Sequence, residues 1–219
     1  MDTRRDWGDE MVKLYVEGGG DTAALKTACR EGFTTFVTKA GLKNRPRIVA
    51  CGSRRDAFDS FCTAIASGEE AFLLVDSEDL VNAQHQQGQP DTWQPWAHLK
   101  TRQGDGWDKP QHSADTDCHL MVKIMESWFL ADRDALKAFF GQGFKENALP
   151  AADNAIEGIA KQQVYRSLEQ ATSNCKTKAV YGKGEHSFKL LTKIDPAKVI
   201  QASPWAKRFV DELRKKMDV

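Results

Sequence analysis

Glu17, Asp76 and Glu78 are the residues whose setting in the chain points to chemistry. Glu17 closes the run Tyr15-Val16-Glu17-Gly18-Gly19-Gly20-Asp21, and Asp76 and Glu78 close Phe72-Leu73-Leu74-Val75-Asp76-Ser77-Glu78-Asp79. Each run is a strand-forming apolar stretch that stops at carboxylates. Strands of a parallel α/β sheet present functional side chains at their C-terminal ends. Two such strands in one sheet would gather the three carboxylates at one edge. Carboxylates that close repel one another, and a divalent cation with hard oxygen ligands relieves the repulsion. In extended backbone Asp76 and Glu78 project to the same side. If a helix has already begun there, Asp79 takes the place of Glu78. Asp76 follows four apolar residues, and burying a carboxylate without a partner is costly. The competing readings are a surface loop for Glu17 and an acidic helix N-terminus for Asp79.

Other residues could support such a site. The glycines after Glu17 leave its carboxylate on an open ledge. They lack the Gly-Lys-Ser/Thr ending of a phosphate-cradling loop and the spacing of a dinucleotide fingerprint. Lys183, Glu185, His186 and Lys189 cluster where Gly182 and Gly184 free the backbone. Lys183, His186 and Lys189 would form a phosphate grip, with Lys183 stabilising transition-state charge and His186 serving as general acid or phosphate donor. A basic face in solvent is the alternative. Glu126 sits in an apolar stretch beside Trp128, so it either anchors a helix start or joins the acidic site. His119, on an apolar run, reads as a core histidine, and Asp132 as the N-cap of a helix over 133–140.

The elements that must position these groups follow from periodicity. Residues 11–17 read as a strand, and 23–40 as a helix with Asp21 and Thr22 as N-cap candidates and Gly41 at its end. Residues 47–51 form a second strand, with Gly52-Ser53 as turn and cap. Residues 54–67 form a second helix stopped by Gly68. Ala71–Val75 is apolar throughout, as a central strand covered on both faces must be. The order β-α-β-α-β with right-handed crossovers predicts a parallel sheet. Residues 82–116 change character, with Trp93, Trp96 and Trp107 among Gln, Asn, Gly and Pro. They read as an excursion with a short helix at 92–101, either a lid over the site or a packed insertion. Residues 118–122 fit a fourth strand with a helix opening at Glu126-Ser127-Trp128, or the whole of 118–131 is helical; periodicity does not decide between them. Helices are expected at 151–171 and from Ser203-Pro204-Trp205 to Lys216, the last with a Ser cap and Pro in its first turn.

Composition sets outer bounds. The length of 219 residues and an apolar share of 41% suit a single α/β domain, with a core over 10–131 and a helical extension over 132–219. Lys plus Arg equals Asp plus Glu at 31 each, which argues against a protein that coats polyanions non-specifically. The five cysteines form no CxxC pair, so a zinc cage is not expected and reduced thiols are. No stretch reaches the roughly 20 apolar residues of a membrane span. The charged N-terminus, Met1 to Asp6, runs into no apolar signal core. The expectation is a soluble, cytoplasmic protein that engages no membrane.

A strand-end Glu, β-α-β-α-β, and an acidic pair closing the third strand together resemble the Toprim domain of topoisomerases, primases and overcoming-lysogenisation-defect nucleases. The wording Val-Glu-Gly-Gly-Gly-Asp, Leu-Val-Asp-Ser-Glu, Met-Glu-Ser-Trp-Phe-Leu-Ala-Asp and Gly-Lys-Gly-Glu-His-Ser-Phe-Lys resembles the bacterial DUF4276 family, over most of residues 11–210. The second acidic motif departs from the Toprim pattern, reading Asp-Ser-Glu where Asp-x-Asp is usual. The resemblance implies a Toprim-like, Rossmann-like parallel sheet with an α-rich C-terminal half. It implies phosphodiester hydrolysis of DNA or RNA, with Glu17 as metal ligand or general base and Asp76 and Glu78 holding Mg²⁺ or Mn²⁺. It also implies an ABC- or AAA-type ATPase partner in antiviral defence. Topoisomerase action needs a tyrosine nucleophile on a separate domain. Tyr15 lies in a strand, Tyr165 in a helix and only Tyr181 in a loop, so hydrolysis is preferred. Two rivals remain: a non-catalytic module that binds nucleic acid or the ATPase, and a small-molecule phosphohydrolase.

Overall fold

A computed structural model describes residues 12–153 and 155–217. The charged N-terminus and Met11, the first residue of the expected strand, lie outside the described residues. Four strands, β1 (Lys13–Val16), β2 (Arg47–Ala50), β3 (Ala71–Asp76) and β4 (Cys118–Met121), form one sheet in the order β2-β1-β3-β4. Every pairing is parallel, as the β-α-β-α-β reading requires. The chain winds outward from β1 to β2, then returns past β1 to lay down β3 on its other side. The sheet therefore changes winding direction between β1 and β3, the position where α/β folds open a crevice at the strands' C-terminal ends.

Because the winding reverses, right-handed crossovers place the first two helices on opposite faces. Helix α1 (Ala23–Lys39) buries Cys29, Phe33, Phe36 and Val37 against Leu14 and Val16. Helix α2 (Arg54–Ala66) buries Phe58, Phe61 and Ile65 in a second core with Tyr15. This split follows the two-residue alternation of β1. All six residues of β3 are buried, as its continuous apolar run predicts. The caps are those the sequence indicated. Thr22 Oγ1 accepts from Leu25 N at 3.2 Å, and Ser53 and Asp56 form a capping box.

The tryptophan-rich segment is a packed insertion and not a lid. Its regular part is α3 (Pro95–Thr101), three residues shorter than expected because Pro90–Thr92 forms a separate 3₁₀ turn. Trp93, Trp96 and Trp107 are each at most 8% exposed, in the α2-side core. Trp107 stacks on Phe58 at 4.5 Å, and Trp96 Nε1 donates to Ala114 O at 2.9 Å. Ring burial with a satisfied indole N–H fixes this segment.

The C-terminal half is helical and builds mainly on the α1 face. After β4 comes a 3₁₀ helix, Met125–Ala131, where a helix start was expected. Then follow α4 (Arg133–Phe140), α5 (Lys161–Thr172), α6 (Lys183–Leu191), α7 (Pro196–Ala202) and α8 (Pro204–Met217). Asp132 caps α4 as predicted, accepting from Ala135 N at 3.3 Å. Ser203 caps α8, its Oγ accepting from Ala206 N at 3.0 Å.

The expected helix over 151–171 begins only at Lys161, and the reason is local. Glu157 accepts from Ser203 Oγ at 2.5 Å and Trp205 N at 3.2 Å, so it anchors the start of α8. Lys123 Nζ takes the carbonyls of Gly158 and Ile159 at 2.7 and 2.9 Å. A continuing α-helix would need those carbonyls for its own ladder. All five cysteines are free, with Cys29 and Cys118 buried. Among the described residues no helix is long and apolar enough to cross a membrane.

Candidate metal centre at the switch point

Glu17 and Asp76 meet at the C-terminal ends of β1 and β3. Glu17 directly follows β1, its N–H donating to Leu74 O at 3.2 Å. Its Oε2 accepts from Asp76 N at 3.1 Å, bridging the two strand ends. Asp76 is 2% exposed, and its Oδ1 accepts from Met125 N at 2.8 Å. Glu78 completes the set: one oxygen from each of Glu17, Asp76 and Glu78 lies within 4.8 Å of the others.

Glu78 arrives by a route the period-2 reading did not foresee. The strand ends at Asp76, and Glu78 has φ +63°, in the left-handed region a branched or bulky residue avoids. Its N–H donates to Lys123 O at 2.9 Å, and Lys123 itself has φ +61°. Between them the buried Ser77 accepts from Lys123 N at 2.7 Å, and its carbonyl accepts from His98 Nε2 at 3.0 Å. Two paired left-handed residues thus turn the chain so that Glu78 faces the strand ends. Asp79 points away, 70% exposed and paired with Arg102 at 3.2 Å, so it does not reach the cluster.

Among the described residues, three cations surround the carboxylates. Arg54, at the start of α2, stands with Nε 3.4 Å from Glu17 Oε2 and donates to Asp76 O at 3.0 Å. Its other two nitrogens form a fork on the buried Asp105, at 2.6 and 3.0 Å, and its guanidinium lies over Trp107 at 4.9 Å. Lys161, at the start of α5, pairs with Glu78. Lys183, at the start of α6, stands with Nζ 4.0 Å from Asp76 Oδ2 and is about half exposed. Sequence reasoning found Lys183 and missed the other two. Arg54 could have been found, because it follows the cap at the end of β2 and so must lie at the same sheet edge. Lys161 carries no such signal.

Behind this layer Glu126 is fully buried. It accepts from Ser187 Oγ at 3.0 Å, Tyr181 OH at 3.2 Å and Tyr165 OH at 3.4 Å. It joins the site by charge and does not anchor a helix start. Burial, then the negative field of Glu126, raises both tyrosine hydroxyls, so they remain donors. Burial by itself would lower Lys183; Glu126 and then Asp76 outweigh it, so Lys183 stays protonated. The two carboxylates of the front layer are pushed the other way. Burial raises Glu17 to about 7 against the pull of Arg54, and burial, Glu17 and Glu126 raise Asp76 well above the usual range.

The remaining grip residues do not converge. His186 is 2% exposed, and its Nδ1 accepts from Gly182 N at 3.0 Å, closing the first turn of α6. It packs among Phe139, Phe140 and Tyr181, where no phosphate reaches it. Lys189 is exposed and lies six residues after Lys183, on a different side of α6. His119 is buried beside Phe72 and Phe209, as a core histidine should be, with Nδ1 3.1 Å from Arg208.

The donor set suits a hard divalent cation. It is oxygen-only, and each of the three carboxylates keeps one oxygen without a hydrogen-bond donor among the described residues. Adjacent ligands of an octahedral Mg²⁺ stand about 3.0 Å apart, so the three carboxylates, within 4.8 Å of one another, would close further around an ion by side-chain rotation. Beside the cluster lies a cavity of about 310 Å³. Its lining includes Gly18–Gly20 and Gly52, the apolar Leu25, Met121, Met125 and Phe188, and the charged Glu17, Asp76 and Lys183. Gly18 has φ +124°, and a Cβ there would stand 2.7 Å from the Phe188 ring. Only glycine allows that approach.

Comparison with curated proteins and with solved structures yields no match. The family described as "Domain of unknown function (DUF4276)" matches residues 16–214, a span that holds Glu17, Arg54, Asp76, Glu78, Glu126, Lys161 and Lys183. The chain belongs to the DUF4276 family.

Proposed function

We propose that the protein is a divalent-metal-dependent phosphodiesterase of the nuclease type, with a Toprim-like arrangement of its acidic residues. The observation that carries this reading is the approach of Glu17, Asp76 and Glu78 to within 4.8 Å at the ends of two adjacent parallel strands. These three residues would hold Mg²⁺ or Mn²⁺, which supplies Lewis-acid stabilisation of phosphoryl charge and a water of lowered pKa. Glu17, held near neutrality by burial, is suited to take a proton from an attacking water at its free oxygen. Lys183 keeps its charge in the lining of the cavity, half exposed, where it would bind a non-bridging phosphate oxygen and stabilise charge that grows there. Arg54 is tied to Asp105 and Trp107, so it orients Glu17 and the Asp76 carbonyl and does not reach for substrate. Coupling to an ABC- or AAA-type ATPase in antiviral defence, and a cytoplasmic location, rest on the family resemblance.

Calorimetric titration with Mn²⁺ tests the reading. The wild type should give binding heat and Asp76→Ala, checked by circular dichroism for an intact fold, should give none. Lys183→Ala should keep the Mn²⁺ heat and lose substrate affinity by about tenfold, as for one desolvated charge-assisted contact. Equal heat in wild type and Asp76→Ala, or none in either, retires the enzyme reading in favour of a non-catalytic binding module.

A further inference from the structure

The lining of the cavity next to the carboxylates combines two chemistries. Glu17, Asp76 and Lys183 lie together, with Asp76 N bonded to Glu17 at 3.1 Å and Lys183 Nζ 4.0 Å from Asp76, and Leu25, Met121, Met125 and Phe188 add apolar surface beside them. An occupant that uses both carries an anionic group on an apolar body. The volume of about 310 Å³ lies at the small limit for ligand pockets, so it admits one compact group and not a stretch of helix. Phe188 offers an aromatic ring, and the two methionines offer adaptable, polarisable surface. Gly18 packs directly against the Phe188 ring, and Gly19 and Gly20 add backbone without side chains to the lining. Nucleobases stack on aromatic side chains whatever their identity, but only once they have left a duplex stack.

We propose that this cavity receives the base of one unpaired nucleotide, whose phosphate lies beside Glu17, Asp76 and Lys183. The substrate class is then a nucleoside phosphate, presented as a single strand or its end, or as a free mononucleotide. The interior of an intact duplex does not fit. The inference rests on the phosphodiester reading above for the role of the charged residues, while the base pocket stands on the cavity itself.

The test uses the described chain with Ca²⁺ in place of Mg²⁺, and reads fluorescence anisotropy. The probes are a labelled oligothymidylate of roughly twelve nucleotides, within the span single-strand sites cover, a blunt duplex of the same length, and thymidine 5′-monophosphate as competitor. The single strand should bind at least about tenfold more tightly than the duplex. Phe188→Ala, which removes the ring, and Leu25→Trp, which fills the cavity from a partly exposed position, should each weaken it by about tenfold or more, the lower range for losing one stacked base. Mn²⁺ affinity, measured by calorimetry on the same variants, should not change. Competition by the monophosphate together with weak oligonucleotide binding would support the pocket and assign a free nucleotide as substrate. Duplex binding equal to single-strand binding, or wild-type affinity in both variants, overturns the inference. Absent Mn²⁺ heat with intact, variant-sensitive nucleotide binding overturns the catalytic reading and leaves the base pocket standing.

Discussion

Raising the pH from about 6 to about 8 should tighten Mn²⁺ binding by at least about tenfold. The magnitude follows from Glu17, which burial raises from an ordinary 4.5 to about 7. A carboxyl with that pKa is about one-tenth ionised at pH 6 and about nine-tenths at pH 8. A cation must displace the proton, so apparent affinity rises in the same proportion. Asp76, raised in the same direction by burial, Glu17 and Glu126, can only steepen the slope. Calorimetry across this range, repeated in buffers of different ionisation heat, counts the protons released; close to one or more is expected near pH 6.5.

The same group makes an opposite mark on the metal-free fold. The native state holds a proton on Glu17 that the unfolded state releases, between pH 4.5 and about 7. Stability due to this group is therefore fully present below pH 4.5 and is lost as pH rises through 7, by about 3 kcal/mol in all. Urea unfolding without metal should show that decline, and saturating Mn²⁺ at pH 8 should reverse it by about 2–3 kcal/mol at a hundredfold excess over Kd. Glu17→Gln should reduce both slopes to what Asp76 contributes and abolish cleavage with the fold intact. Flat Mn²⁺ affinity in the wild type, or an unchanged slope in Glu17→Gln, would refute the assignment of Glu17 to the cluster.

Two further substitutions separate the roles of the surrounding cations. Lys161→Met removes an ammonium that competes for Glu78 from a partly exposed pair, so Mn²⁺ should bind about two- to fivefold more tightly with stability changed by less than about 1 kcal/mol; weaker Mn²⁺ binding by calorimetry would mean that Lys161 holds Glu78 in place. Arg54→Met leaves Asp105, 3% exposed at its side chain, with Arg102 as its remaining partner at 3.1 Å, and should lower unfolding free energy by about 3 kcal/mol in urea titrations; a loss under about 1 kcal/mol would show that Arg102 alone satisfies that carboxylate.

The strands and the convergence of Glu17 with Asp76 were legible because both rest on strong local signals: apolar runs that stop at carboxylates, and glycines that forbid continuation. The caps at Thr22, Ser53, Asp132 and Ser203 were legible for the same reason, since each satisfies backbone donors next to it in the chain. What was not legible depends on partners distant in sequence. The α5 start was displaced by bonds from Lys123 and from the α8 cap, neither of which periodicity senses. His186 looked free beside Lys183 because a sequence shows spacing and not burial; its ring turns inward to Gly182 N and the aromatic residues around it. Lys161 reaches Glu78 across 83 positions, a pairing that only the assembled fold creates.

That last pairing bears on how one site can hold both an acidic cluster and an anionic substrate. Arg54 is fixed by a two-pronged bond, a carbonyl and an indole, so its charge serves Glu17 in every state. Lys161 and Lys183 have side chains 37% and 55% exposed and hold the cluster by single contacts, one of them at 4.0 Å. Single contacts of half-exposed lysines are weak, on the order of 1 kcal/mol or less, so both ammonium groups can leave their carboxylates at little cost. If a dication neutralises the carboxylates, as proposed, Lys161 and Lys183 would become available to a phosphate. On that reading the same two lysines would offset the carboxylates' mutual repulsion in the metal-free site and draw in an anion once a cation is bound, while Arg54, fixed by Asp105, keeps Glu17 and the Asp76 carbonyl in register.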